Sequence, residues 1–225
     1  MSIDPPAQAL NSPVSLRITE IFYSLQGEAR SVGVPTVFIR LTGCPLRCVY
    51  CDTEYAFTGG ERMPLDQVLG KALSYPSKTV TVTGGEPLAQ NACLTLLEAL
   101  CDAGCDVSLE TSGALSIEAV DSRVSIVMDL KTPSSGEMDR NLMTNLEHLQ
   151  PKDQLKFVLG GREDYQWAKS VMEEHALAGR CELLFSPVHQ QLAPRELADW
   201  ILNDGLPVRF QMQLHKLLWG DQPGR

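Results

Sequence analysis

An open or partial α/β barrel of about six β/α units is the expectation, and three observations carry it. Short β-branched runs alternate with segments of helical period along most of the chain, which implies a parallel sheet with right-handed crossovers. The length of 225 residues falls short of the roughly 250 that a complete eight-unit barrel needs. Finally, the residues with unusual chemistry stand just after the strand candidates, where parallel α/β folds build their sites.

Taken in order, 16–23 is expected as an added edge strand and 37–41 (VFIRL) as the first strand of the repeat. Leu65, Val68, Leu69, Ala72 and Leu73 then fall at helical spacing. The run 79–83 (TVTVT) is the second strand, followed by a helix with Leu94, Leu97, Leu100 and Cys101 on one side. Strands are next expected at 107–109 and 125–128. The run 155–159 (LKFVL) precedes a helix over about 162–177. The run 183–185 precedes another helix over about 194–203, where Leu197, Trp200 and Ile201 are spaced i, i+3, i+4. Five segments follow these strands: Cys44-Pro-Leu-Arg-Cys48, Gly84-Gly85-Glu86-Pro87, Glu110-Thr-Ser-Gly113, Asp129-Leu-Lys-Thr-Pro133 and Ser186-Pro-Val-His189. The topology brings all five to one face.

Composition narrows the function. Charged residues make up 21% and hydrophobic residues 44%, ordinary for a soluble globular chain. No apolar run approaches the roughly 18 residues of a membrane span. The polar, Pro-bearing stretch 1–13 lacks the basic and apolar regions of an export signal, so it is expected as a mobile tail ahead of one domain over 14–225 in a cytoplasmic protein. Nineteen basic against 28 acidic residues give a net charge of −9, and no basic run is visible. Nucleic-acid binding, which rests on neutralising phosphates, is disfavoured. Seven cysteines, an odd number, point to metal binding or catalysis before disulfides.

Cys44, Cys48 and Cys51 form C-x3-C-x2-C in a loop directly after a strand. Thiolates suit iron–sulfur clusters or zinc, and a structural zinc or an ordinary cubane wants four ligands. Three close cysteines without a fourth suggest a [4Fe-4S] cluster with one iron left open. A zinc module completed by a distant His189 or His215 is the competing reading. Cys93, Cys101, Cys105 and Cys181 read as buried core thiols, and Met128 and Trp200 as core residues.

The cysteine spacing, with aromatic Tyr50 before the third cysteine, resembles the signature of the radical S-adenosylmethionine (SAM) enzymes. Within them the chain is similar to the 7-carboxy-7-deazaguanine synthase family. That likeness is carried by 23–28 (YSLQGE), 38–40 (FIR), 51–53 (CDT), 82–87 (VTGGEP) and 214–216 (LHK). It implies a (β/α)6-type radical SAM barrel, and conversion of 6-carboxy-5,6,7,8-tetrahydropterin to 7-carboxy-7-deazaguanine with loss of ammonia, in queuosine or deazapurine biosynthesis. It implies a [4Fe-4S] cluster on the three cysteines, SAM and Mg2+ as cofactors, a homodimer, and a low-potential electron donor such as a flavodoxin. By resemblance Leu25, Gln26, Gly27 and Glu28 would form the pterin loop, and Arg40 would pair with the substrate carboxylate, a bidentate task that suits arginine. Thr83, Glu110 and His215 would contact substrate, Thr53 would bind magnesium, and Gly85, Glu86 and Lys131 would hold SAM. The end of the chain, 219–225, departs from the family pattern, in which some relatives close the pocket with the terminus. An activase that installs a glycyl radical on a partner protein shares the cysteine and GGEP motifs, but needs neither SLQGE, Arg40 nor Thr53.

Overall fold

The computed structural model describes residues 14–220, 222 and 224. The expected tail at 1–13 and the residues Asp221, Pro223 and Arg225 lie outside them. Among the described residues, nine strands pair into one sheet: β1 (Ser15–Leu25), β2 (Pro35–Leu41), β3 (Glu61–Pro64), β4 (Thr79–Gly84), β5 (Asp106–Thr111), β6 (Ser125–Asp129), β7 (Gln154–Leu159), β8 (Glu182–Pro187) and β9 (Arg209–Phe210). Their order is β3-β1-β2-β4-β5-β6-β7-β8-β9. From β2 to β9 every pairing is parallel, while β1 pairs antiparallel with both β2 and β3. The two end strands do not meet, so the barrel is open, as the length implied.

Helices α1 (Leu65–Leu73), α2 (Ala92–Asp102), α3 (Arg162–Glu174) and α4 (Pro194–Asp204) cover the outer face, and the short α5 (Leu214–Trp219) is the last regular element among the described residues. Local chemistry sets their limits: α4 starts on Pro194 in its first turn and stops at Gly205, which adopts the left-handed conformation with φ 60°. The buried face of α2 is Cys93, Leu96, Leu97 and Leu100, so the stripe is turned from the expected Leu94, which is only partly buried. Each of those leucines contributes about 1.5–3 kcal/mol by leaving water.

The alternation along the strands builds the site. Val80 and Val82 of β4, Val107 and Leu109 of β5, and Val37, Ile39 and Leu41 of β2 pack outward against α1 and α2. Ile126 and Met128 of β6, and Leu155, Phe157 and Leu159 of β7, pack outward with α3 and α4. Because successive side chains take opposite faces, the intervening Arg40, Thr83, Glu110, Asp129 and Lys156 point into the barrel, where all five line one cavity.

Four expectations need correction. The sheet is not wholly parallel, and 16–23 is not its edge, because β3 pairs outside it. The crossovers from β5 to β6 and from β6 to β7 carry no α-helix; the second holds only short 3-10 turns at Pro133–Ser135, Met138–Arg140 and Met143–Glu147. Pro133, Gly136 and Pro151 interrupt helical propagation there. Cys101 and Cys105 are half-buried at the end of α2, whereas Cys93 and Cys181 are buried as expected.

Candidate active site

A cavity of about 610 Å³ opens at the carboxyl ends of the parallel strands. All five motif segments reach it, through Cys44, Gly85, Glu110, Lys131 and His189 among others. Leu25, Gln26, Gly27 and Glu28 line it from the loop after β1, and Arg40, Thr53, Thr83 and His215 line it from the remaining sides.

Cys44, Cys48 and Cys51 all face this space. Burial raises each thiol above its ordinary range, while Lys131 acts in the opposite direction on all three. Thiols in such a place stay protonated unless a cationic centre takes their protons' place. Among the described residues, no three His, Cys, Asp or Glu side chains converge to hold a single metal ion. Three soft ligands from one loop fit an iron–sulfur cluster, whose ligands stand farther apart than those of one ion. The loop is braced from below: Glu86 N–H donates to Gly43 O at 2.8 Å and Gly85 N–H to Leu41 O at 3.2 Å. A Cβ on Gly85 would run into the Gly43 carbonyl and lie 2.7 Å from Cys44 Cβ.

Along the same cavity wall, carboxylates and ammoniums interleave. Lys156 Nζ donates to Glu28 Oε2 at 2.8 Å and stands 3.9 Å from Asp129 Oδ2, while Lys131 Nζ holds the same Asp129 oxygen at 2.7 Å. Asp129 Oδ1 is buried without a hydrogen-bond partner among the described residues. Burial works to raise the Glu28 carboxyl, but Lys156 and the amide of Gln213 bring it below its usual range. Glu110 moves the other way: burial and the Glu28 charge raise it. It accepts from Gln26 Nε2 at 3.2 Å and Thr83 Oγ1 at 3.0 Å. A carboxyl so placed holds a proton more readily than an ordinary glutamate, so it can donate to a ring nitrogen as well as accept from an N–H.

The last turns of the chain lie over this floor. Gln213 Nε2 donates to Glu28 Oε1 at 2.9 Å and Asp52 Oδ2 at 3.1 Å, and Lys216 Nζ sits 3.2 Å from Asp52. Asp52 also accepts from Thr53 Oγ1 at 2.8 Å. Burial opposes its ionisation, yet Lys216 and these hydrogen bonds hold it well below the usual carboxylate range. The His215 ring packs against Gly27, where any Cβ would collide with it, and Leu214 N–H donates to Gly27 O at 2.9 Å. Gln222 and Gly224 also reach the cavity wall.

Glu86 differs from its expected role. Its carboxylate does not line the cavity; fully buried, it accepts from Leu88 N–H, Thr111 Oγ1, Ser112 N–H and Ser112 Oγ. It ties the turn after β4 to the end of β5 rather than offering itself to a ligand. Replacing it by glutamine sets an NH2 among donors, and is expected to cost about 1–3 kcal/mol, read as a lowered urea midpoint.

Lys156 and Gln213 were not singled out from the sequence, and Asp52 stood out only as a member of the CDT run beside the third cysteine. Lys156 carried a signal: it is the lone charge in the apolar strand LKFVL, and pairs in register with Asp129. Gln213 carried none, since nothing local tells a side chain in a short terminal connection that it faces residue 28.

Residues 38–179 match the model of the radical SAM superfamily. The 7-carboxy-7-deazaguanine synthase of Chlorobaculum tepidum is 46% identical over 93% of this chain and 97% of its own length. Those of Koribacter versatilis and Methanospirillum hungatei are 39% and 42% identical, over 91% and 90% of this chain and 97% and 85% of theirs. Among solved structures, QueE from Escherichia coli superposes with a TM-score of 0.74 at 22% identity, covering 90% of this chain and 95% of that one, which supports the fold.

Proposed function

The chain belongs to the 7-carboxy-7-deazaguanine synthase family within the radical SAM superfamily, and from that membership we propose its reaction. It converts 6-carboxy-5,6,7,8-tetrahydropterin to 7-carboxy-7-deazaguanine and ammonia, a redox-neutral ring contraction. The observation that carries the reading is one cavity of about 610 Å³ lined by all three cysteines together with Arg40 and the linked Gln26, Thr83 and Glu110.

When bound, the [4Fe-4S] cluster and SAM supply one-electron cleavage of the sulfonium and thereby a hydrogen-abstracting 5′-deoxyadenosyl radical. Cys44, Cys48 and Cys51 would hold the cluster. Gly85, whose missing Cβ makes room for Gly43 and Cys44, would meet SAM through its backbone, and Lys131, two residues past β6, would face it. Arg40 grips the substrate carboxylate. Gln26, Thr83 and Glu110 present a linked row of donors and acceptors to the pterin edge, and Glu28, fixed by Lys156, orients the loop that carries Gln26. The backbone of Leu25 and Gly27 and the His215 ring close the cavity against water. Thr53 would supply one oxygen to Mg2+, which would need water and substrate oxygens besides. The reading includes a homodimer, a cytoplasmic setting and a flavodoxin-type electron donor.

The test is anaerobic: reconstituted protein with SAM, reductant, Mg2+ and the carboxypterin. The expected product is 7-carboxy-7-deazaguanine, absent when Cys48 is replaced by alanine. Intact cluster with no such product would overturn the assignment.

A further inference from the structure

The ladder between β1 and β2 contains an irregularity between Ile18 and Glu20. Before it, Leu16 and Ile18 face the helices; after it, Ile21 does. One extra residue in β1, Thr19, therefore shifts the alternation, and its hydroxyl is anchored 2.7 Å from that of Thr42. The shift sets Glu20 directly opposite Arg40 and Phe22 opposite Phe38, with Phe22, Phe38 and Arg40 on the cavity wall. Arg40 Nε donates to Glu20 Oε1 at 2.7 Å, with the side chains only 16% and 22% exposed. Tyr55 OH donates to the same oxygen at 2.9 Å. The guanidinium carbon lies 5.7 Å from the Tyr55 ring centroid and 6.0 Å from that of Phe22, which stacks on Phe38 at 4.9 Å. Among the described residues, Arg40 donates a hydrogen bond from Nε alone.

We infer that Glu20 is a positioning residue for the acid clamp. It holds the Nε edge of Arg40, with Tyr55 as its own brace, and leaves the edge formed by Nη1 and Nη2 for a ligand carboxylate. The inference rests on the proposed function, in which Arg40 receives the substrate acid. An arginine between two aromatic rings without such a partner samples several rotamers, and a bidentate contact gains most when that freedom is already lost. The opposite electrostatic outcome is equally definite. If Glu20 merely competed for Arg40, removing it would free positive charge and tighten binding of the acid.

The experiment compares the affinity of the reconstituted protein for 6-carboxytetrahydropterin with that for tetrahydropterin lacking the carboxylate. For wild type, a clear preference for the acid is expected. For Glu20→Ala the affinity for the acid should fall by about tenfold, the scale of one charged hydrogen bond, with the uncarboxylated pterin bound as before. Glu20→Gln, whose amide oxygen still accepts from Nε, should restore most of the preference, and Tyr55→Phe should lose about two- to threefold. Unchanged or tighter binding of the acid by Glu20→Ala, or equal loss for both pterins, would overturn the inference while leaving the function intact. A wild type without preference for the acid would instead sink the acid-clamp reading and the inference with it. If Glu20→Ala fails to fold by its melting curve, the same comparison in Tyr55→Phe decides, and full retention of the preference there counts against Glu20.

Discussion

Lys156→Met is expected to destabilise the protein by about 3–5 kcal/mol, the cost of leaving a buried charge without its partner. Methionine nearly matches the lysine stem in volume, so packing changes little and the charge is what is removed. Lys156 and Glu28 are only 14% and 15% exposed and 2.8 Å apart, with Glu110 and Asp129 close enough for their charges to act on the same ammonium. Without Lys156, three carboxyl groups share the floor with Lys131. The pH dependence identifies the cause. Glu28 titrates below its ordinary value, so the stability it contributes is present above the unfolded carboxyl range, near 4.3, and is lost as pH falls through its lower folded value. Lys156 titrates above its ordinary value, so its contribution is full below about 10.4 and is lost only as pH rises through the folded value. At neutral pH the wild type has both. In the variant, burial of Glu28 is no longer opposed by Lys156, so protonation is favoured, and the gap from wild type should narrow on acidification. Urea midpoints at pH 7 and pH 5 measure this; equal midpoints at pH 7 would refute it.

The second large effect is expected at Gly85. An alanine Cβ there meets the Gly43 carbonyl and Cys44 Cβ, neither of which can swing aside as a flexible side chain would. The start of the cysteine loop must shift, at about 1–3 kcal/mol of overpacking. A displaced Cys44 also loosens its grip on the cluster. Iron and sulfide retained after anaerobic reconstitution should drop well below the wild-type level, with activity following. Gly70 is the matched control: it lies within α1 with nothing near its missing Cβ, so Gly70→Ala should raise stability by about 1 kcal/mol and leave iron content unchanged. Full iron in Gly85→Ala would show that the loop has more room than its backbone contacts indicate.

Much of this was legible in the residue order because it is written locally. The strand cores 37–41, 79–83 and 155–159 declare themselves by β-branched and apolar density, and the site segments by their position after them. What escaped depends on long-range pairing. β3 and β9 are four and two residues long, too short for a period to show, and β1 is antiparallel because of the hairpin-like return through 26–34 rather than its own composition. The Glu86 carboxylate looked available for a ligand because its partners, Thr111 and Ser112, arrive from the next strand. Lys156 was visible as an oddity in its strand, but its purpose appears only when register sets it beside Asp129 and the loop after β1 sets Glu28 on top.

That loop has a consequence for synthesis. Ala29 N–H is held by Gln211, Arg30 N–H by Gln154 and Glu28 by Gln213, links that span 182, 124 and 185 positions. A nascent chain can pair β1 with β2 early, yet residues 28–30 find their first partners only at Gln154 and Lys156 and their last at Gln211 and Gln213. Such distant closures are slow, so the pocket should be the last part to mature, and truncated translation products should be left with an uncovered, half-built chamber.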